Sequence, residues 1–366
     1  MKNVPSLLSL CILTAALPCM TSVVDAQTSP EVLADGKVTF RINAGNNRES
    51  VKATGQFGSE VVLVKGEKGV WEGTTEAAVE PGVYEYSFRV DGLNVMDGRN
   101  PAMKPQRWPG SSILHIPADP PAPWDLQDIP HGTVHHHDYH SKALGKWRKV
   151  VVYTPPNTGT ERLPVLYLSH GYSDNQDTWT AHGKTHWILD SLIASGKAVP
   201  MIVVMPDAHA IEPGTQKFDD YGPKNTAAFI DEMLQDVIPL VEAAYPVKKE
   251  ASARAFAGLS MGGHHALTVA LQNSDTFSYI GAFSSATPAD DLVTEAIKDS
   301  AGLNARLKLF WIACGDKDFL FEKNQALHAK FDEAGVKHEY VVTEGDNHSW
   351  PVWRRYLVAF APRAFR

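Results

Sequence analysis

The run Ala255-Phe256-Ala257-Gly258-Leu259-Ser260-Met261-Gly262-Gly263 constrains this chain more than any other stretch. Residues 253–257 read as a buried strand and 261–272 as a largely apolar helix, so G-x-S-x-G falls on a strand-to-helix turn. A serine there sits at strained backbone angles, and small residues at Gly258 and Gly262 let strand and helix approach closely. The turn exposes the Ser260 hydroxyl near the positive end of a helix, where developing negative charge is favoured. That is the setting of a nucleophile.

A serine hydroxyl becomes a nucleophile when a histidine takes its proton, and the imidazole needs a carboxylate to orient it. Two late strands supply both. The strand at 309–313 leads into Cys314-Gly315-Asp316-Lys317-Asp318-Phe319, and the strand at 339–342 leads into Asp346-Asn347-His348. His348 is thus the expected base, while the spacing leaves Asp316 and Asp318 both open as the acid. For the oxyanion, the expected donors are the N–H of Met261 and the N–H of Tyr172, on the loop that follows Leu166-Tyr167-Leu168-Ser169-His170-Gly171. His170 reads as a positioning residue.

The rest of the chain frames this centre. Residues 148–153, 165–169, 201–205, 254–257, 279–283, 309–313 and 339–342 read as strands alternating with helices, which implies a parallel sheet with helices on both faces. The clearest helix is 225–245, with Asn225 as its cap. Before it, residues 38–42, 61–64, 84–90 and 112–116 read as short strands, with Asp91-Gly92 as a two-residue hairpin turn to Leu93-Asn94-Val95-Met96. The expected fold class is therefore an α/β-hydrolase domain preceded by a small, immunoglobulin-like β-sandwich. The expected boundaries are a signal peptide at 1–26, the sandwich at 27–117, a linker at 118–130 around Ala118-Asp119-Pro120-Pro121-Ala122-Pro123, and the catalytic domain at 131–366.

Residues 1–26 carry Lys2, the apolar core Leu7 to Leu17 and the small-residue end Val24-Asp25-Ala26, the pattern of an export signal, so a secreted or periplasmic protein is expected. A lipoprotein anchor at Cys19 is the lesser reading, since Pro18 suits that processing poorly. Of the three cysteines, only Cys314 then survives, and no internal disulfide can form. A net charge of −8 without a basic run excludes a nucleic-acid surface, and no other apolar run is long enough to span a membrane.

These residues resemble carbohydrate esterase family 1, the feruloyl and acetylxylan esterases, in the subgroup that carries an N-terminal module like carbohydrate-binding family 48. Enterochelin esterases and esterase D are similar at a greater distance. The resemblance rests on His131-Gly132 to Tyr139-His140-Ser141, Val152-Tyr153-Thr154-Pro155-Pro156, Leu168-Ser169-His170-Gly171, Ile202-Val203-Val204-Met205-Pro206-Asp207, Gly258-Leu259-Ser260-Met261-Gly262-Gly263 and His348-Ser349-Trp350. Phe88-Arg89-Val90-Asp91-Gly92 and Asp97-Gly98-Arg99-Asn100-Pro101 resemble the family 48 module. The family's Gly-x-x-Asp pattern falls on Gly315 and Asp318, which favours Asp318 over Asp316.

The resemblance implies a serine esterase acting on feruloylated or acetylated xylan and its oligosaccharides, with ferulate as the favoured acyl group and no cofactor or metal. The alternatives are acetylxylan deacetylation, hydrolysis of a siderophore lactone, and a non-catalytic glycan-binding role. His135, His137 and His140 raise a metal reading, but no Cys, Asp or Glu cluster completes a site. His264 and His265 read as packing or rim residues. Trp179, Trp187 and Trp353 read as core. Trp350, two residues after the base, is expected to approach the pocket. Arg107 and Trp108, on the proline-bearing loop 97–110, are expected to reach the rim of the Ser260 pocket, although a mere sealing role between domains fits that loop equally well.

Overall fold

The structure is a computed structural model described over residues 28–212 and 218–366, with side chains from 28 to 212 and from 221 to 366. The expected signal at 1–26 lies outside the described residues.

Residues 31–116 form two antiparallel sheets. One runs in the order Glu31–Val32, Val38–Asn43, Val70–Thr74, Val64–Lys65; the other runs Val61–Val62, Val51–Gly55, Gly82–Val90, Leu93–Val95, with Ser112–Ile116 also paired to Gly82–Val90. Val38 and Phe40 of the first sheet share a buried cluster with Ala53, Tyr86, Phe88 and Leu114 of the second. Phe40 is the centre of it, with ring centroids 5.0 Å from Phe57 and 5.1 Å from Tyr86. The Asp91-Gly92 turn has φ of 48° and 85°, the two left-handed angles that a tight hairpin of this twist requires.

The segment 118–125 is anchored by its own sequence. The Asp125 carboxylate accepts the N–H groups of Ala118 (3.0 Å) and Ala122 (2.8 Å) and lies 2.7 Å from His115 Nε2.

Eight strands form the second unit: β1 (Thr133–Ser141), β2 (Lys146–Thr154), β3 (Val165–Ser169), β4 (Ile202–Pro206), β5 (Arg254–Leu259), β6 (Tyr279–Phe283), β7 (Leu309–Gly315) and β8 (Glu339–Thr343). Their order is β1-β2-β4-β3-β5-β6-β7-β8. The pairings β1/β2 and β2/β4 are antiparallel and the rest parallel, so the sheet is mixed where the sequence suggested parallel. The reason is the four-residue link 142–145, which is long enough for a hairpin and far too short for a crossover. β1, which carries His135 to His137, was not among the strands legible in the sequence.

Burial follows the two-residue period of a strand. Val150, Val152, Val165 and Tyr167 face one core, while Val151, Tyr153, Leu166 and Leu168 face the other. The helix Met261–Gln272 covers the first face, and the helices Thr185–Ala194 and Trp350–Phe360 cover the second.

The long helix expected at 225–245 begins earlier, at Phe218, and breaks into a π turn at Met233–Val237 before Ile238–Ala244. Pro239, with no N–H to donate, follows that turn. Asn225 is not its cap. It is buried inside the helix, donating its amide to Ala208 O (2.8 Å) and accepting from Ile211 N–H (3.2 Å), and so ties the helix to the loop after β4.

The loop 97–110 of the first unit docks onto the second. Lys104 Nζ lies 3.0 Å from Glu85 in its own unit and 3.0 Å from Asp174 in the other. Thr178 Oγ1 donates to Pro105 O (2.6 Å), and Arg107 N–H donates to Ser173 O (3.0 Å).

Candidate active site

β5 ends at Leu259 and the next helix begins at Met261, leaving Ser260 alone in the turn with φ 54° and ψ −111°. That angle is strained for a residue with a side chain, and the surroundings hold it. Ser260 N–H donates to Phe283 O (2.8 Å), and Ser260 O accepts from His264 (3.0 Å) and Ala286 (3.2 Å). The flanking glycines are required by contact. A Cβ on Gly258 would lie 2.5 Å from the Gly262 backbone, and one on Gly262 would lie 2.4 Å from Ser169 O.

Strands β7 and β8 bring the partners to the same edge. Ser260 Oγ is 3.0 Å from His348 Nε2, and His348 Nδ1 is 2.8 Å from Asp318 Oδ2. Asp318 also accepts the Leu320 N–H at 2.8 Å. Burial pushes its carboxyl up, but the hydrogen bond and charge of His348, with the Leu320 N–H, outweigh that and hold it below the usual carboxylate range. The ring of Trp353 stands edge-on to His348 at 4.8 Å, backing the imidazole.

Asp316 is turned elsewhere. Its carboxylate accepts Gly345 N–H (2.8 Å) and its own N–H donates to Thr343 O (3.0 Å), closing the two loops on each other. It buttresses the position from which Asp318 reaches His348.

Across Ser260 lies the loop after β3. A Cβ on Gly171 would be 3.7 Å from Ser260 Cβ, so the Gly171-Tyr172 backbone runs directly beside the hydroxyl. Met261 is the first residue of its helix, where an N–H has no acceptor within the helix. The Gly171 carbonyl accepts from Asp174 N–H (3.1 Å) and from His170 Nδ1 (2.8 Å), while His170 Nε2 accepts Ala208 N–H (2.9 Å). His170 therefore fixes the Tyr172 loop to the loop after β4, a positioning role.

Below that loop Arg148 is buried between two acids. It donates to Glu232 (2.9 Å) and to Asp207 (3.0 Å), and Tyr139 OH donates to Glu232 at 2.8 Å. Burial alone would push the Asp207 carboxyl up, but His170 and Arg148 draw it well below its ordinary value.

The remaining sequence candidates divide. Arg107 and Trp108 do come to this edge: the guanidinium lies 4.5 Å from the Trp108 ring and 5.4 Å from the Tyr172 ring. Trp350 does not. It is 1% exposed, packed edge-on against Trp179 (4.9 Å) and Trp353 (5.6 Å), because the helix it opens turns its apolar side onto the sheet. His265 is fully buried on Phe229 at 4.6 Å, and His264 is buried against Thr287.

The histidines of β1 diverge: His135 and His137 share a face and meet Thr154 and Tyr245, whereas His140 stacks edge-on to Trp147 on the other. Among the described residues, His328, Asp332 and His338 hold ligand-type atoms within 4.8 Å of one another. His338 precedes β8 and His348 follows it, so that group lies at the opposite edge of the sheet.

One residue of the site escaped sequence reading. Phe319 is 74% exposed with its ring 4.4 Å from His348, an apolar surface on the imidazole itself. Its only sequence signal is an aromatic directly after Asp318 on a strand-end loop.

The Esterase family model matches residues 141–364, which contain Ser260, Asp318 and His348. The chain belongs to the Esterase family. Membership places this esterase among the carboxylic ester hydrolases. It is 34% identical over 349 residues to an endo-1,4-beta-xylanase/feruloyl esterase of Xylanibacter ruminicola, covering 93% of the chain and 46% of that relative. The chain thus spans about half the length of that relative. A carbohydrate esterase family 1 ferulic acid esterase from Anaeromyces mucronatus is similar at 25% identity and a TM-score of 0.57, over 66% of this esterase and 93% of that chain. The enterobactin esterase of Shigella flexneri shares the fold over 90% of this esterase and 93% of that chain, with a TM-score of 0.64 and 20% identity.

Proposed function

We propose that this esterase is a secreted or periplasmic serine esterase that releases ferulate and related hydroxycinnamates from plant cell-wall arabinoxylan. On this reading residues 1–26 are an export signal, 27–117 a module like carbohydrate-binding family 48, 118–130 a linker and 131–366 the catalytic domain. The observation that carries the chemistry is the continuous line Ser260 Oγ, His348, Asp318, at 3.0 and 2.8 Å, on a strained turn. Its likeness to the named feruloyl esterases supports the acyl group.

Ser260 Oγ attacks the ester carbonyl carbon as its proton passes to His348 Nε2. The carbonyl π electrons move to oxygen, where the N–H groups of Met261 and Tyr172 stabilise the charge. Asp318 orients the imidazole through Nδ1–H and stabilises its charged form. The intermediate collapses to the acyl-enzyme, and the departing sugar oxygen takes the proton from His348. Water then attacks the acyl carbon, gives its proton to His348, and ferulic acid leaves with Ser260 restored.

The test is turnover of methyl ferulate, feruloylated arabinoxylan oligosaccharides, 4-nitrophenyl acetate and acetylated xylan side by side. A kcat/KM on the feruloyl esters at least tenfold above that on the acetyl esters is expected. Equal values, or the reverse order, would refute the acyl assignment.

A further inference from the structure

His328 and Asp332 stand four positions apart on the helix Phe321–Glu333, so their side chains share one face of it. His338 ends the link from that helix into β8 and turns back toward His328. β8 is the last strand in the order of the sheet, and the group sits at its head.

Protons decide what this group lacks. His338 Nδ1 is 2.8 Å from Val336 O, and a carbonyl can only accept, so that nitrogen is assigned the hydrogen and Nε2 presents a lone pair. His328 Nδ1 faces this lone pair at 2.8 Å, while its Nε2 faces Asp332 Oδ2 at 3.5 Å. A neutral imidazole has a single N–H. Placed on Nδ1, it leaves Nε2 and the carboxylate as two acceptors face to face; placed on Nε2, it leaves the two rings so. Either way one positive charge is wanting.

The rings are also held in place. His328 stacks on Tyr340 of β8 at 4.4 Å and 20°, and His338 stands against Phe331 at 5.5 Å. A backbone carbonyl on the far nitrogen, as Val336 supplies to His338, is the outer contact that orients a ligating imidazole. The side chains of His328 and Asp332 are 30% and 64% exposed, so an ion can enter from solvent. The nearest ring nitrogens are 2.8 Å apart and need open only to about 3.3 Å, the span of two nitrogens on a tetrahedral zinc ion.

We propose that His328, Asp332 and His338 bind a divalent transition-metal ion of the zinc class, through one nitrogen of each ring and a carboxylate oxygen, with water completing the shell. Two imidazoles disfavour magnesium and calcium, which take oxygen ligands. The ion joins a helix to the head of the edge strand, and it acts on stability and not on the ester.

Zinc chloride is titrated calorimetrically into the untagged full chain, first freed of metal with a chelator. One equivalent should bind. His338→Ala and His328→Gln should each weaken it at least tenfold, and Asp332→Asn at least threefold. Exchanging His135 and His137 together for Gln, or His348 for Ala, should leave it unchanged, which separates this group from the other histidines. A hundredfold excess of zinc over its dissociation constant should raise the thermal midpoint of the parent by at least about 3 °C and leave both histidine variants unmoved. His328 is partly exposed, so its variant keeps the fold even where His338→Ala does not. No uptake at submillimolar zinc would mean that a second proton on His328 supplies the missing charge. That result, or uptake indifferent to both histidine substitutions, would overturn the site.

Discussion

Lys104 Nζ lies 3.0 Å from Asp174 Oδ1, a buried ion pair that joins the first unit to the turn holding Tyr172. Asp174 closes that turn by donating its N–H to Gly171 O, so a charge in one unit steadies a backbone segment beside Ser260 of the other.

Replacing Lys104 by Met would leave Glu85 and Asp174 facing each other without a cation. Removing one partner of a buried pair costs about 3–5 kcal/mol. We expect a lower thermal midpoint and a kcat for methyl ferulate reduced roughly tenfold, as the Gly171-Tyr172 backbone loosens. A variant with unchanged melting and turnover would show that the interlock is idle.

Ser260→Ala and His348→Ala should each lower kcat by about 10³- to 10⁶-fold, and the double variant should fall little further, because the two act as a unit. Chelating agents should leave turnover unchanged. Substantial turnover in Ser260→Ala, measured with methyl ferulate, would contradict the assignment.

Asp318→Asn should lower kcat by about 10³- to 10⁴-fold, since an amide favours the wrong imidazole tautomer. Asp316→Asn should cost less than about tenfold, because its carboxylate meets Gly345 and not His348. Steady-state kinetics on both variants decides it, and the opposite ranking would move the role to Asp316.

The depressed Asp318 carboxyl also has a pH signature. A carboxyl held below its ordinary value contributes stability that is complete above that value, near pH 4, and is lost as pH falls through the folded value. The stability gap between the parent and Asp318→Asn should therefore shrink as pH falls below about 4. Urea unfolding at a series of pH values measures it, and a gap that widens on acidification below about pH 4 would contradict the sign.

The juxtaposition of Ser260, His348 and Asp318 was legible because its signals are local: a glycine-bracketed serine between a strand and a helix, and two polar loops after late strands. Proximity in sequence misled at Trp350, where helix geometry turns a residue two positions from His348 into the core. β1 hid because a strand interrupted by three histidines lacks the apolar alternation that marks a half-buried strand. Asn225 resembled a cap because its type suits one, whereas its partners are the distant Ala208 and Ile211. Lys104 gave no sign at all, for its meaning lies in Asp174, seventy positions away and in another unit.

The docking of Pro105 and Arg107 onto Thr178 and Ser173 bears on how such chains diverge. With the first unit docked on the loop beside Ser260, an exchange of that unit between relatives would change the surroundings of the site while Ser260, His348 and Asp318 stay the same. Recombination at the 118–130 segment is then a route to altered surroundings by inheritance of a neighbour, and the same crossover point offers a handle for engineering them without mutating the sheet.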